Sequence, residues 1–244
     1  MHELFNFHFL NTISKQLHEA LESLTLTPLN TATLATLQTY QTANSAHQGV
    51  YLLHYDNQPV YLGKADNVAE RLGQHLTKLL GRQHVNPTEI CYKCILLDKS
   101  MSTAANEKVL IALFTNTHNG MWNGKGFGPK DPGQQRDTTT PSYFDSNYPI
   151  RLDINITDIE ETETLGSLCQ KMKSQLPWVF RYDLEQRASE EIDLQSVTKT
   201  PEPLLRAIVN KLGQGWRGAI ISFGMVLYKN QKNYHFGTTV DPEH

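Results

Sequence analysis

Apolar residues recur at helical spacing near the start of the chain, at Phe9, Ile13, Leu17, Leu21 and Leu24. Pro28 interrupts that pattern, Asn30 is placed to cap a second helix, and Leu34 and Leu37 give it an apolar side. The polar residues from Gln41 to Gln48 predict a loop. The period then changes. From Gly49 to Gly63 the chain reads GVYLLHYDNQPVYLG, two runs of strand-forming residues around the turn-forming Asp56-Asn57-Gln58-Pro59. Side chains alternate along strands, so a regular hairpin puts Tyr51 and Tyr61 on one face only if its loop has an odd length.

Helical spacing returns after Ala65. Asp66 or Asn67 can cap a helix running to about Leu80, with Val68, Leu72, Leu76 and Leu79 as its buried stripe. Arg71 and His75 lie one turn apart and are expected to project together from the flank of that stripe. Residues 89–97 alternate like a third strand. Ser102 or Thr103 then caps a further helix, in which Leu110, Ile111 and Phe114 share a side with Glu107. A carboxylate in an apolar stripe is costly unless a cation or hydrogen bonds compensate it, which makes Glu107 the most informative acid in the chain.

Residues 118–137 form a glycine-dense loop whose spacing does not match GxGxxG, and no strand precedes it as a dinucleotide fold or P-loop requires. Further on, Leu165, Leu168, Met172 and Leu176 predict a helix, PWVFRY a strand, residues 184–191 a charged helix and Pro203 to Leu212 an amphipathic one. Ala219 to Tyr228 reads as an apolar strand that pairs, through a turn at Lys229–Lys232, with NYHFG.

Composition sets the class. Of 244 residues, 39% are hydrophobic and 19% charged, as in an ordinary soluble globular protein with a core that needs no stapling. No apolar run approaches a membrane span, and His2, Glu3 and Asn6 stand where a signal peptide would be apolar, so no membrane and a cytoplasmic location are expected. The three cysteines include Cys91 and Cys94 at CxxC spacing, but in a strand residues three apart point to opposite faces, so buried thiols are expected rather than a zinc site. The net charge of −3 is unevenly spread: residues 138–200 carry −5, while 49–137 and 201–244 carry +2 each. A negative total therefore leaves room for a locally basic surface.

Taken singly, Tyr51 and Tyr61 are ordinary strand aromatics, and Arg71 and His75 ordinary helix residues. Taken in order, they resemble the GIY-YIG nuclease superfamily over roughly residues 48–137. Gly49-Val50-Tyr51 matches the first motif and Tyr61-Leu62-Gly63 the second, with Arg71 in the next helix and Glu107 in the one after. The Arg71-to-His75 spacing and the WN…GFG…DPG…RD loop are similar to the type II restriction endonucleases that cut CCGCGG-type palindromes.

The resemblance implies hydrolysis of a DNA phosphodiester by an activated water with one Mg²⁺ per site. Tyr51 would deprotonate the water, with His75 or Lys64 making its phenolate accessible, since a free tyrosine titrates only near pH ~10. Tyr61 would hydrogen-bond the scissile phosphate or the nucleophile, Arg71 would neutralise charge on the phosphate, and Glu107 would hold the metal. The family's asparagine is either Asn123, which matches the motif wording, or Asn119, which matches the distance from the glutamate. Lys125, Lys130, Gln134, Gln135, Arg136 and Arg217 are candidates for contacting DNA.

The fold expected is α/β (α+β). It comprises an N-terminal helical segment (1–47), a catalytic core with a mixed or antiparallel sheet of at least three strands (48–150) and an α+β extension (151–244). Symmetric cutting of a palindrome implies a homodimer on double-stranded DNA, and the resemblance also implies a companion DNA methyltransferase in the host. Two alternatives remain: a nuclease of the same superfamily acting in DNA repair or in a mobile element, or a catalytically inactive DNA-binding module.

Overall fold

The change of period at Gly49 marks the start of the first long strand of the first sheet. The structure, a computed structural model, describes residues 9–97, 120–128, 131, 133–230 and 232–243. They form an α+β protein in two compact units, Met1–Leu79 with Asn86–Pro129, and Leu80–Val85 with Lys130–His244. None of its described helices is long and apolar enough to cross a membrane. The predicted helix carrying Glu107, Leu110, Ile111 and Phe114 lies outside the described residues.

In the first unit, helix α1 (Phe9–Ser23) leads through the short strand β1 (Thr27–Pro28) to α2 (Thr31–Ala43). Asn30 caps α2: its side chain accepts from the Thr33 amide while the Thr33 hydroxyl accepts from the Asn30 amide. The loop expected from Gln41 starts only after Ala43, because Gln41 is buried and doubly used. Its Nε2 donates to His47 O and its Oε1 accepts from the Ala69 amide. A buried amide satisfied on both sides holds the last turn of the helix in place.

Strands β2 (Gly49–Tyr55), β3 (Gln58–Ala65) and β4 (Ile90–Leu96) join β1 in an antiparallel sheet of order β1-β4-β2-β3. One of its faces packs Val50, Leu52 and Leu62 against Leu17, Leu21 and Met121. Helix α3 (Val68–Leu80), capped by Asn67, buries Val68, Ala69, Leu72, His75, Leu76 and Leu79. His75 therefore lies inside the buried face of α3 and not on its flank, where it was expected. Cys91 and Cys94, expected to be buried, are half-buried free thiols, registered opposite His54 and Tyr51 and hence on opposite faces.

The hairpin meets its geometric demand by another route than the one expected. Its turn is Asp56-Asn57 alone, an even length, with φ of 49° and 59° at the two residues, as the tight turn that suits strand twist requires. Gln58 and Pro59 already belong to β3, where the edge position tolerates a proline. An unbroken ladder from that turn would place Tyr51 opposite Leu62. Instead the register shifts between Leu53 and His54: His54 faces Pro59, but Leu53 faces Tyr61 and Tyr51 faces Gly63. The extra residue, Val60, is a β-bulge that restores odd parity and turns Tyr61 onto the face of Leu53 and Tyr51.

The second unit is built on a mixed sheet of order β10-β8-β9-β6, from β6 (Val179–Tyr182), β8 (Trp216–Ile221), β9 (Gly224–Lys229) and β10 (Thr238–Val240), in which only β6 and β9 run parallel. A smaller sheet pairs β5 (Thr162–Thr164) with β7 (Glu191–Asp193). The short helix α4 (Tyr143–Asn147) precedes α5 (Leu165–Gln175) and α6 (Pro201–Leu212), whose apolar faces fill the main core with Leu168, Met172, Leu205, Ile208 and Val209. The single strand expected over Ala219–Tyr228 is a hairpin of two, and Thr238–Val240, not NYHFG, pairs with β8. No charged helix forms at 184–191. Leu184 and Ile192 enter the core, Arg187 binds Glu190 and the carbonyls of Lys211 and Leu212, and the chain turns between them. Buried Arg82 anchors this unit by donating to Asp145 and to the carbonyls of Tyr148 and Ser222.

Candidate active site

Three aromatic side chains meet where the sheet faces α3. Tyr51 is buried, and its Oη lies 2.8 Å from His75 Nε2, itself fully buried. The half-buried Tyr61 comes to 6.3 Å from the Tyr51 ring and 5.1 Å from the imidazole. What lets the Tyr51 ring reach His75 is Gly63, its register partner on β3. A Cβ there would stand 2.3 Å from Tyr51 Oη and 2.4 Å from Cζ, so only glycine leaves the ring its path. Gly49 is needed for a similar reason, since a Cβ would stand 2.2 Å from the Ile95 carbonyl of β4.

His75 is held neutral. Burial, then Lys78, then Arg71 lower its pKa from 6.5 to about 3. Arg71, His75 and Lys78 follow an i, i+4, i+7 series on one side of α3. The same cations that disfavour a proton on the imidazole favour an anion beside it.

The described part of the glycine-dense loop closes over β3. The Trp122 amide donates to Val60 O, the bulge residue, at 2.5 Å. The Asn123 side chain then pairs with both polar groups of Leu62, its Oδ1 accepting from N–H at 3.0 Å and its Nδ2 donating to O at 2.8 Å. This side chain satisfies part of an edge strand that would otherwise lie open. It also holds Leu62, between Tyr61 and Gly63, from outside the sheet. Phe127, four residues on, stacks on His75 with ring centroids 4.8 Å apart and meets Tyr61 edge-on at 4.9 Å.

The structure thus brings together Tyr51, Tyr61 and His75, with Arg71 on the same helix, and ties Asn123 to Leu62 of β3. Register sends Lys64, opposite Val50, to the sheet face away from Tyr51, so the role expected of it beside that phenol does not follow from its place in the strand. Glu107, Asn119 and Lys130 lie outside the described residues. Lys125 is exposed, and so are Gln134, Gln135 and Arg136, which form a short 3-10 turn. Both acids around that turn, Asp131 and Asp137, are bound by Arg181. Arg217 is already engaged, with Asp241 at 2.6 Å and the Lys232 carbonyl at 3.0 Å.

Sequence reasoning missed Phe127, Lys78 and Arg181. Lys78 was legible in its spacing from Arg71 and His75. Phe127 carried only the weak signal of an aromatic between two glycines, and nothing local marked Arg181.

Among the described residues no group of three or more His, Cys, Asp or Glu could hold a metal ion. No protein-family model matches the sequence, and no curated protein is significantly similar to it.

Proposed function

We propose that the chain is a site-specific type II restriction endonuclease that hydrolyses phosphodiester bonds of double-stranded palindromic DNA. The observation that carries this reading is the buried Tyr51–His75 hydrogen bond with Tyr61 beside it. Packing alone does not require two tyrosines to converge on a neutral histidine between cationic helix residues.

In this reading Tyr51 acts as the base that takes a proton from the attacking water. His75 Nδ1 has no hydrogen-bond partner among the described residues. The tautomer with hydrogen on Nε2 leaves a bare lone pair at that buried position, whereas the other leaves an unpaired N–H, the rarer and costlier case. His75 therefore donates from Nε2 to Tyr51 Oη and, with the cations Arg71 and Lys78 nearby, steadies the phenolate left when the phenol's own proton passes to solvent. Tyr61 orients the phosphate or the water, and Arg71 offsets charge developing on the phosphate. Glu107 would hold Mg²⁺, a hard ion that a single carboxylate binds together with phosphate and water and that neutralises phosphate charge when present. Lys125, Gln134, Gln135 and Arg136 supply exposed donors for DNA. A homodimer on DNA, a partner methyltransferase and a cytoplasmic setting belong to the same reading.

The test is incubation of the purified protein with plasmid and Mg²⁺, followed by mapping of the ends. Discrete fragments that disappear in Glu107→Ala are expected. Nicking confined to branched DNA would favour a repair nuclease, and fragments that persist in Glu107→Ala would overturn the assignment.

A further inference from the structure

A histidine that partners a catalytic group is usually oriented by a third group that hydrogen-bonds its far edge. Among the described residues His75 has none: Nε2 meets Tyr51, while Nδ1, also buried, has no hydrogen-bond partner. A ring tethered at Cγ and hydrogen-bonded only at Nε2 can still rock about the line between those atoms unless packing restrains it. The surface lying along its plane is Phe127, tilted by only 20° with centroids 4.8 Å apart. Tyr51 and Tyr61 meet the imidazole at 53° and 60°.

We propose that Phe127 is the positioning residue of this site, taking by ring stacking the place that a hydrogen-bonding orienter fills elsewhere. The inference rests on the reading of Tyr51 and His75 as catalytic partners. Its support is the number of independent ties that hold Phe127 in place. Lys78 Nζ lies 5.3 Å from its ring centroid and donates to the next residue's carbonyl, Gly128 O, at 2.6 Å. Trp122 packs against it at 5.0 Å, and the segment before it is fastened to β3 at Val60 and Leu62. Because Phe127 touches His75 and Tyr61 at once, it sets the imidazole plane relative to both tyrosines. Being apolar, it also keeps water from the face of His75 that it covers. The glycine-dense loop thereby becomes part of the catalytic centre through packing and not through a charged group.

Phe127→Leu and Phe127→Met remove the flat ring, while Phe127→Tyr keeps it; two ring-free variants leave the comparison intact if one misfolds. Three quantities are read: the single-turnover cleavage rate, the Kd for duplex DNA, and the His75 ring signal in NMR of histidine-labelled protein, assigned by its absence in His75→Gln. The expected result is a rate lowered about 10- to 100-fold in both ring-free variants with Kd changed less than about 3-fold. The His75 signal should shift downfield as the ring current is lost, and Phe127→Tyr should stay near wild type in all three. A ring-free variant with wild-type rate would overturn the proposal. So would a rate that falls only in step with DNA affinity while the His75 signal stays put. If the wild-type protein cuts no DNA, the nuclease reading fails, and the His75 signal still decides whether Phe127 fixes that ring.

Discussion

His75 shows how one residue links stability to chemistry. The unfolded chain carries a histidine of pKa 6.5, while the folded value is about 3. Below pH 6.5 the unfolded state therefore binds a proton that the folded state refuses. The contribution is complete above about pH 7 and shrinks as pH falls, levelling off only near pH ~3; at pH 4 the loss is ~3 kcal/mol. Thermal unfolding of the wild type and of His75→Gln at both ends of that range checks this, since the variant should lose markedly less stability on acidification. Equal losses would mean that His75 is not held neutral. Gly63 gives a steric counterpart. Gly63→Ala puts a methyl into the buried Tyr51 ring, and such overpacking costs typically about 1–3 kcal/mol. Gly73→Ala, in the interior of α3 with nothing closer than 3.9 Å, is the control and should stabilise by about 0.5–1 kcal/mol. Calorimetry on the two variants should show melting temperatures moving in opposite directions.

The hairpin, α3 and the closing loop differ in how far they could be read in advance. Helix α3 was legible to its ends because its apolar period, its cap and its length all agree. The placement of Tyr51 and Tyr61 on one face was legible as a requirement but not as a mechanism. Whether a ladder carries a bulge depends on cross-strand packing, which no local pattern of polar and apolar residues encodes. His75 was misplaced on the flank for a similar reason: a histidine reads as polar until a partner such as Tyr51 makes its burial tolerable. Beyond Trp178 the chain is rich in short strands, and a run such as Ala219–Tyr228 barely reveals its own turn at Ser222-Phe223, where Ser222 is a weak turn former and Phe223 none. The Asn123 tie was invisible because it joins residues far apart in sequence. Asn123→Leu should remove both hydrogen bonds to Leu62 and leave its buried groups unpaired, costing about 1–3 kcal/mol. Hydrogen exchange would detect the change as lost protection at the Leu62 amide, with α2 unaffected.

Each compact unit keeps its own core, and the proposed cleavage chemistry draws on residues of the first, Met1–Leu79 with Asn86–Pro129. In the second unit, Arg82 and Arg181 show basic residues spent on internal order, the first on buried Asp145 and the second on Asp131 and Asp137. A count of basic residues in that unit therefore overstates what it offers to DNA phosphates. The central claim is that Tyr51 acts as a base in DNA cleavage, and Tyr51→Phe isolates it by removing one oxygen while keeping the ring that fills the buried site. The decisive measurement is the rate at which wild type and Tyr51→Phe cut plasmid DNA with Mg²⁺, at matched folded fractions. Discrete fragments from the wild type and a rate at least about 100-fold lower from Tyr51→Phe are predicted. Equal rates, or no cleavage by the wild type, would contradict it.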